Sequence, residues 1–498
     1  MATSPNNQAI KHSGQVFTPA FLVKLILDYA SYVPNHILQK HIIDNSCGDG
    51  AFLCEIVARY CQEYKRIHGH IEGLEKELSQ YIHGIELDDS AYENCLYNLE
   101  QTALAFGLSR VQWDISHANA LSVIRFDGKM DFVVGNPPYV RVHNLAEDYD
   151  IVKTFRFAKE GMTDLYLVFF ELGFRMLNET GRLCYITPNS WLSSTAAAKM
   201  RNYIMTYRNL VGIIDLGHYQ AFDNATTYTA IALFDVRHAT DTVDYFKYSP
   251  ESRNKILVDT LSYQEMAIGG SFYVASKEDL ALLRAIKTSP RTKYANVKNG
   301  FATLADKVFI LDIPFKDLTI PVLKASTGKW HRGFFPYDAQ GKPLSKDEIF
   351  SHQEIAIYLN RNKQTLLKKR TEKQKPDWYL YGRTQALKDV FEKKYSINTI
   401  IRDISTVKLI EVPVGSGLYS GLYILTSVSY EILADVIKSE EFIAYVKMLK
   451  NYKSGGYYTF NSKDLEQYLN YKLSQHVQAK NFVPIDKCRI SGGNLELF

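Results

Sequence analysis

Seven apolar, strand-like runs, at 41–47, 81–87, 111–116, 130–135, 182–187, 210–216 and 228–236, alternate with helical patterns near 19–31, 50–67, 89–106, 165–178 and 193–208. This alternation is the tightest constraint on the fold. A helix between successive strands lets them run parallel, and a parallel sheet has to be covered on both faces. The last two runs lie too close together for a crossover helix and predict a terminal hairpin. The regular alternation stops near Asp241. The expected organisation is therefore an α/β domain with a mostly parallel, seven-stranded sheet over 1–240, followed by a mixed α+β domain over 241–498.

The strand ends carry the chemistry. The first strand runs through Asp44 and Cys47 into the turn Gly48-Asp49-Gly50, which opens a helix. That places backbone N–H groups at the carboxyl edge of the sheet, where small ligands bind. No third glycine follows at dinucleotide-binding spacing, and Asp49 would repel a pyrophosphate, so a ligand carrying a cation fits better. The second strand ends at Glu86, whose carboxylate can accept from both ribose hydroxyls. Asn119 and Ala120 follow the third strand, and Asn119 can hold an adenine edge. Nucleoside, ribose and a cationic centre together indicate S-adenosylmethionine. The fourth strand, Val133-Val134-Gly135, then runs into Asn136-Pro137-Pro138-Tyr139. Two prolines end the ladder and turn the chain outward. The Asn136 amide oxygen and the Pro137 carbonyl can accept from one NH2 group while Tyr139 offers a ring face, which suits the exocyclic amine of a base.

These motifs, with Gly14 to Pro19, Gly181 to Pro188 and Phe222 to Thr229, and their order along the chain, resemble the gamma class of adenine-N6 DNA methyltransferases of bacterial type II restriction–modification systems. The resemblance implies a Rossmann-like methyltransferase domain followed by a target-recognition domain. Its implied cofactor residues are Phe17, Thr18, Asp44, Cys47, Gly48, Gly50, Glu86, Asn119, Ala120 and Asn136, with Thr18 at the methionine end. Asn136 to Tyr139 would be catalytic. Tyr139 and Phe222 would stack on opposite faces of a flipped adenine. Two departures stand out: Asn45-Ser46 occupies the place of the usual Pro-Ala, and Asn119 that of a frequent Asp.

The net charge of +4 over 498 residues hides an asymmetry, −6 up to Thr240 and +10 beyond it. A basic second half is expected to carry the polyanion, duplex DNA, and Lys368, Lys369, Arg370 and Arg383 are the candidate contacts. Six cysteines without metal-type spacing predict neither zinc nor disulfides. With no leader and no spanning apolar run, the expected location is the cytoplasm of a prokaryote, without membrane partners. Only about forty residues precede the first strand, too few for a nuclease domain. The expectation is a modification enzyme served by a separate endonuclease, if any. Competing readings are an RNA or protein-glutamine amino methyltransferase, in which a similar motif solves a similar problem, and a decayed enzyme that only binds DNA.

Overall fold

The computed structural model describes residues 18–142, 149–159, 163–222, 227–237, 239–289, 293–311, 313–477, 488–491 and 494–497. The chain divides into two compact units, Met1–Ala281 and Leu282–Phe498.

The first unit is built on a nine-stranded sheet. Its strands are β1 (Ile42–Asp44), β2 (Ile82–Glu86), β3 (Asp114–His117), β4 (Met130–Gly135), β5 (Leu177–Pro188), β6 (Leu210–Asp215), β7 (Thr229–Asp235), β8 (Thr242–Ser249) and β9 (Asn254–Ser262), in the order β3-β2-β1-β4-β5-β7-β6-β8-β9. The first five are parallel, and β7 runs antiparallel between β5 and β6. The expected terminal hairpin is thus β6–β7. The sheet does not stop there: β8 joins β6 in parallel and β9 closes the edge. The expected boundary at 240/241 falls inside this sheet, and the compact unit ends some forty residues later.

Helices α1 (Ala20–Tyr29), α2 (Ala51–His68), α3 (Leu74–Tyr81), α4 (Asp89–Leu104), α5 (Leu165–Met176) and α6 (Ala198–Tyr207) belong to the same unit. Leu22, Ile26, Phe52, Ile56, Leu99, Val134, Ile186 and Ile231 share one core. Helix α2 is bounded by left-handed glycines at Gly50 and Gly69, with Lys65, Arg66 and His68 in its last turn, where cations favour the helix dipole. Asp88 caps α4 by accepting from Ala91 N at 2.9 Å. Helix α3, with its sequence LEKELSQY, buries Leu74 and Leu78 one turn apart, a pattern too short to stand out along the sequence.

The second unit is assembled from small sheets. Strands β10 (Ala295–Asn299), β11 (Thr319–Lys324), β12 (Lys329–Phe334), β13 (Lys394–Ile397), β14 (Leu409–Val412), β15 (Gly417–Tyr419) and β16 (Leu422–Thr426) form one sheet ordered β10-β16-β13-β14 and another ordered β12-β11-β15. Helices α7 (Gln353–Leu367), α8 (Tyr430–Ile437), α9 (Glu440–Met448) and α10 (Ser462–Val477) complete its longer elements. Phe334, Phe335, Tyr337, Trp378, Tyr379 and Tyr381 are core residues with their rings turned inward.

Candidate functional site

In the sheet order, β4 lies beside β1 while β2 lies on the other side, so the crossover direction reverses between β1 and β4. Ligands bind at the carboxyl ends of strands at such a point. The loops after β1, β2 and β4 meet there. Glu86, at the end of β2, is held rigidly: Oε1 accepts from Leu87 N (3.0 Å) and Asp88 N (2.8 Å), and Oε2 accepts from Gly48 N (2.8 Å). A carboxylate offers about four acceptor positions, so one remains on Oε2 for a ribose hydroxyl rather than the two expected. Gly48 has φ +55, and nothing lies within 4 Å of where its Cβ would stand, so the backbone presents an open cradle beside that carboxylate. Gly50 serves the turn instead, because its φ is +88 and a Cβ there would meet Cys95 Sγ at 2.9 Å.

Asp44 is 1% exposed, and its Oδ1 accepts from Ser46 N at 3.1 Å. Burial pushes its carboxyl up to about 7, opposed by that backbone hydrogen bond and reinforced by the charges of Glu86 and Asp49. Against it lies Gly135, which sequence reasoning left out of the site. Its φ is +146, and a Cβ would stand 2.6 Å from Asp44 Oδ1. This residue lets the Asn136–Tyr139 loop leave β4 directly over the Asp44 carboxyl. The signal was present in the sequence as the glycine between an apolar strand and Asn-Pro-Pro.

Asn136 donates from Nδ2 to Thr18 Oγ1 at 3.2 Å, which fixes the amide's rotation and ties the expected cofactor residue to the expected clamp. Tyr139 donates its hydroxyl to Ile186 O at 3.2 Å and packs edge-on to Tyr166. Burial holds its phenol well above the ordinary range, so it acts as a neutral ring. Phe222 does come to Tyr139, but edge-to-face, with centroids 6.2 Å apart and planes at 73°. A base sandwiched between two rings needs them parallel and about 7 Å apart. In this conformation the rings fill the slot themselves, and one must turn before a base enters. Beyond the motif, Val142 N donates to Thr163 O (3.0 Å) and Leu165 N to Val140 O (2.7 Å), which staple together the two ends of the segment between Tyr139 and Leu165. Residues 143–148 and 160–162 of that segment, and Phe17, lie outside the described residues.

Several expected contacts are redirected. Cys47 turns its thiol into the core, 3.9 Å from Cys95 Sγ. Its N–H donates to Ile85 O and its carbonyl accepts from Gly50 N, so the residue shapes the turn. Asn45 is wholly buried and accepts the Tyr185 hydroxyl at 2.9 Å, which explains an amide where proline is usual: it satisfies a buried phenol on β5. Asn119 caps the turn Ala120–Ser122 by accepting from Leu121 N at 3.0 Å, and Ala120 is buried. In the second unit Lys368, Lys369 and Arg383 are exposed, whereas Arg370 is 8% exposed and donates to Leu380 O at 2.6 Å. Arg370 therefore staples its own fold rather than facing a polyanion. Among the described residues no helix is long and apolar enough to cross a membrane, and no group of His, Cys, Asp and Glu could hold a metal ion.

The type II methyltransferase M.BstVI of Geobacillus stearothermophilus is 26% identical over 408 residues, covering 70% of this chain and 72% of that one. The type II restriction enzyme and methyltransferase RM.Eco57I of Escherichia coli is 25% identical over 541 residues, covering 84% of this chain and 52% of its own length, so the chain spans about half of that relative. Among solved structures, the type IIL restriction-modification enzyme MmeI, determined in complex with DNA, superposes with a TM-score of 0.63 at 12% identity, covering 95% of this chain and 68% of that one. This last likeness establishes a shared fold. Residues 62–222, which carry β2 to β6 and the Asn-Pro-Pro-Tyr loop, match the Eco57I restriction-modification methylase family.

Proposed function

We propose that this chain is an S-adenosylmethionine-dependent DNA methyltransferase that modifies the N6 amine of a flipped adenine, acting as the modification enzyme of a restriction–modification system. The observation that carries the reading is the Asn136–Thr18 hydrogen bond at the β1/β4 edge, which joins the ligand cradle to the amine clamp. The cradle suits the cofactor: open space over Gly48, one remaining acceptor position on Glu86, and Thr18 beside Asn136. When bound, S-adenosylmethionine supplies an electrophilic methyl group on a sulfonium centre.

The protein's share is positioning. The adenine N6 lone pair is delocalised into the ring, and acceptors at Asn136 Oδ1 and Pro137 O draw the amine toward tetrahedral geometry. Tyr139, neutral and anchored to Ile186 O, offers the ring against which the base lies. No strong base is needed, because the alkylated amine is acidic enough to lose its proton to water. The match to a restriction-modification methylase family and the DNA-bound structural neighbour support DNA as substrate, and the partner, if any, would be a separately encoded endonuclease. Incubation with duplex DNA and isotopically labelled S-adenosylmethionine, followed by nucleoside mass spectrometry, tests the reading. Labelled N6-methyladenine is expected. Label confined to cytosine, to RNA or to protein would overturn it.

A further inference from the structure

Strands β11 and β12 form an antiparallel hairpin closed by the turn Ala325–Gly328, and its register sets Lys324 directly opposite Lys329. Like charges facing across a strand pair are destabilising. Of the registered pairs in the described sheets this is the one that opposes like charges, and Arg182 facing Asp235 in the first unit shows the usual solution. Neither lysine forms an ion pair with a described carboxylate. Arg332, two residues beyond Trp330 on the same face of β12, forms none either. Lys408 adds a third ammonium at the tip through its bond to Ser326 O at 3.1 Å. Trp330 is 44% exposed on an edge strand whose other aromatic, Phe334, is core.

Other basic clusters differ. In the cleft lined by Lys40, Arg182 and Arg237, all three cations already hold carboxylates, and Lys298, in the cleft beside Gln385, holds Asp389. The exposed edge strand and turn of this hairpin are the place where opposed cations and an exposed indole come together with no ion-paired carboxylate among the described residues.

We propose that the β11–β12 hairpin is the element of the second unit that enters a groove of duplex DNA. Lys324, Lys329 and Lys408 take backbone phosphates, while Trp330 and Arg332 reach base edges. β12 is the free edge of its three-stranded sheet, so its exposed side chains and the turn are the parts that reach the duplex; phosphate contacts set register, and side chains at base edges set sequence choice. This rests on the reading of the chain as a DNA methyltransferase.

The test uses the full chain with S-adenosylmethionine and duplexes with and without the target sequence, measuring affinity against salt. Lys324→Gln/Lys329→Gln should weaken binding to both duplexes and lower the slope of log affinity against log salt by about two. Trp330→Ala/Arg332→Ala should cut the ratio of specific to non-specific affinity roughly tenfold or more, with cofactor affinity and melting temperature unchanged. Lys368→Gln/Lys369→Gln removes the same charge from another surface. If this control reproduced the hairpin's slope change, or if both hairpin variants matched wild type, the hairpin assignment would fall while methylation by the wild type continued. A wild type that neither bound nor methylated duplex DNA would overturn the functional reading and the hairpin assignment together.

Discussion

The two units handle charge in opposite ways. The first carries a formal charge of −9 and the second +13 when the chain is divided at Ala281. The structural boundary thus sharpens the asymmetry seen with a boundary at 240. The first unit buries Asp44 and Glu86 at one sheet edge and fixes each with backbone donors. The second leaves many lysines and arginines at its surface, and those it buries, Arg370 and Lys394, are consumed by its own carbonyls. Chemistry on a small ligand needs few groups held still in a dry place. Contact with a polyanion needs many groups kept available.

The comparison can be broken most directly at Asp44. Its folded pKa of about 7 lies above its ordinary 3.8, so the native state binds the proton more tightly than the unfolded chain. That contribution to stability is fully present below about pH 4 and is lost as pH rises toward 7. The loss amounts to about 4 kcal/mol by linkage. Asp44→Asn should flatten this part of the stability–pH curve for the cofactor-free protein and raise its melting temperature at pH 8 relative to wild type. Parallel curves for the two proteins would show that the buried carboxyl does not carry this cost.

Asn136→Ala should lower the rate of methyl transfer about a hundredfold, on the order of 3 kcal/mol, with S-adenosylmethionine affinity within a few-fold of wild type. Single-turnover rates at saturating cofactor decide this, and a rate near wild type would remove Asn136 from the clamp.

Gly135→Ala sharpens the same contrast sterically. Its Cβ would meet Asp44 Oδ1 at 2.6 Å in a backbone conformation that alanine rarely adopts. A loss of about 2–3 kcal/mol in chemical denaturation is expected, together with weaker cofactor binding. Wild-type stability would mean that the close approach of β4 to Asp44 relaxes without cost.

In the second unit Arg370→Ala should destabilise by about 1–2 kcal/mol, since it leaves the buried Leu380 carbonyl without its donor. Lys369→Ala should change stability by less than about 0.5 kcal/mol. Equal effects from these neighbours would erase the distinction between consumed and available cations.

Local physics determined much of this protein without tertiary information. The period of the apolar runs specified alternating strands and helices, and the glycines at 48 and 50 with the prolines at 137 and 138 marked where strands must end, because φ and the missing N–H act within a residue or two. The order of motifs placed Asp44, Glu86 and Asn136 on ends of strands that do meet at one edge. Tertiary packing alone decided which neighbouring side chains face outward. Lys369 and Arg370 are adjacent in sequence, yet one is exposed and the other is a buried staple. Asn45 serves Tyr185, which lies 140 residues away, and Tyr139 meets Phe222 edge-on across two different loops. β8 and β9 extended the sheet beyond the point where helical crossovers ceased. Each of these depends on a partner distant in the chain, and neither periodicity nor composition encodes the identity of that partner.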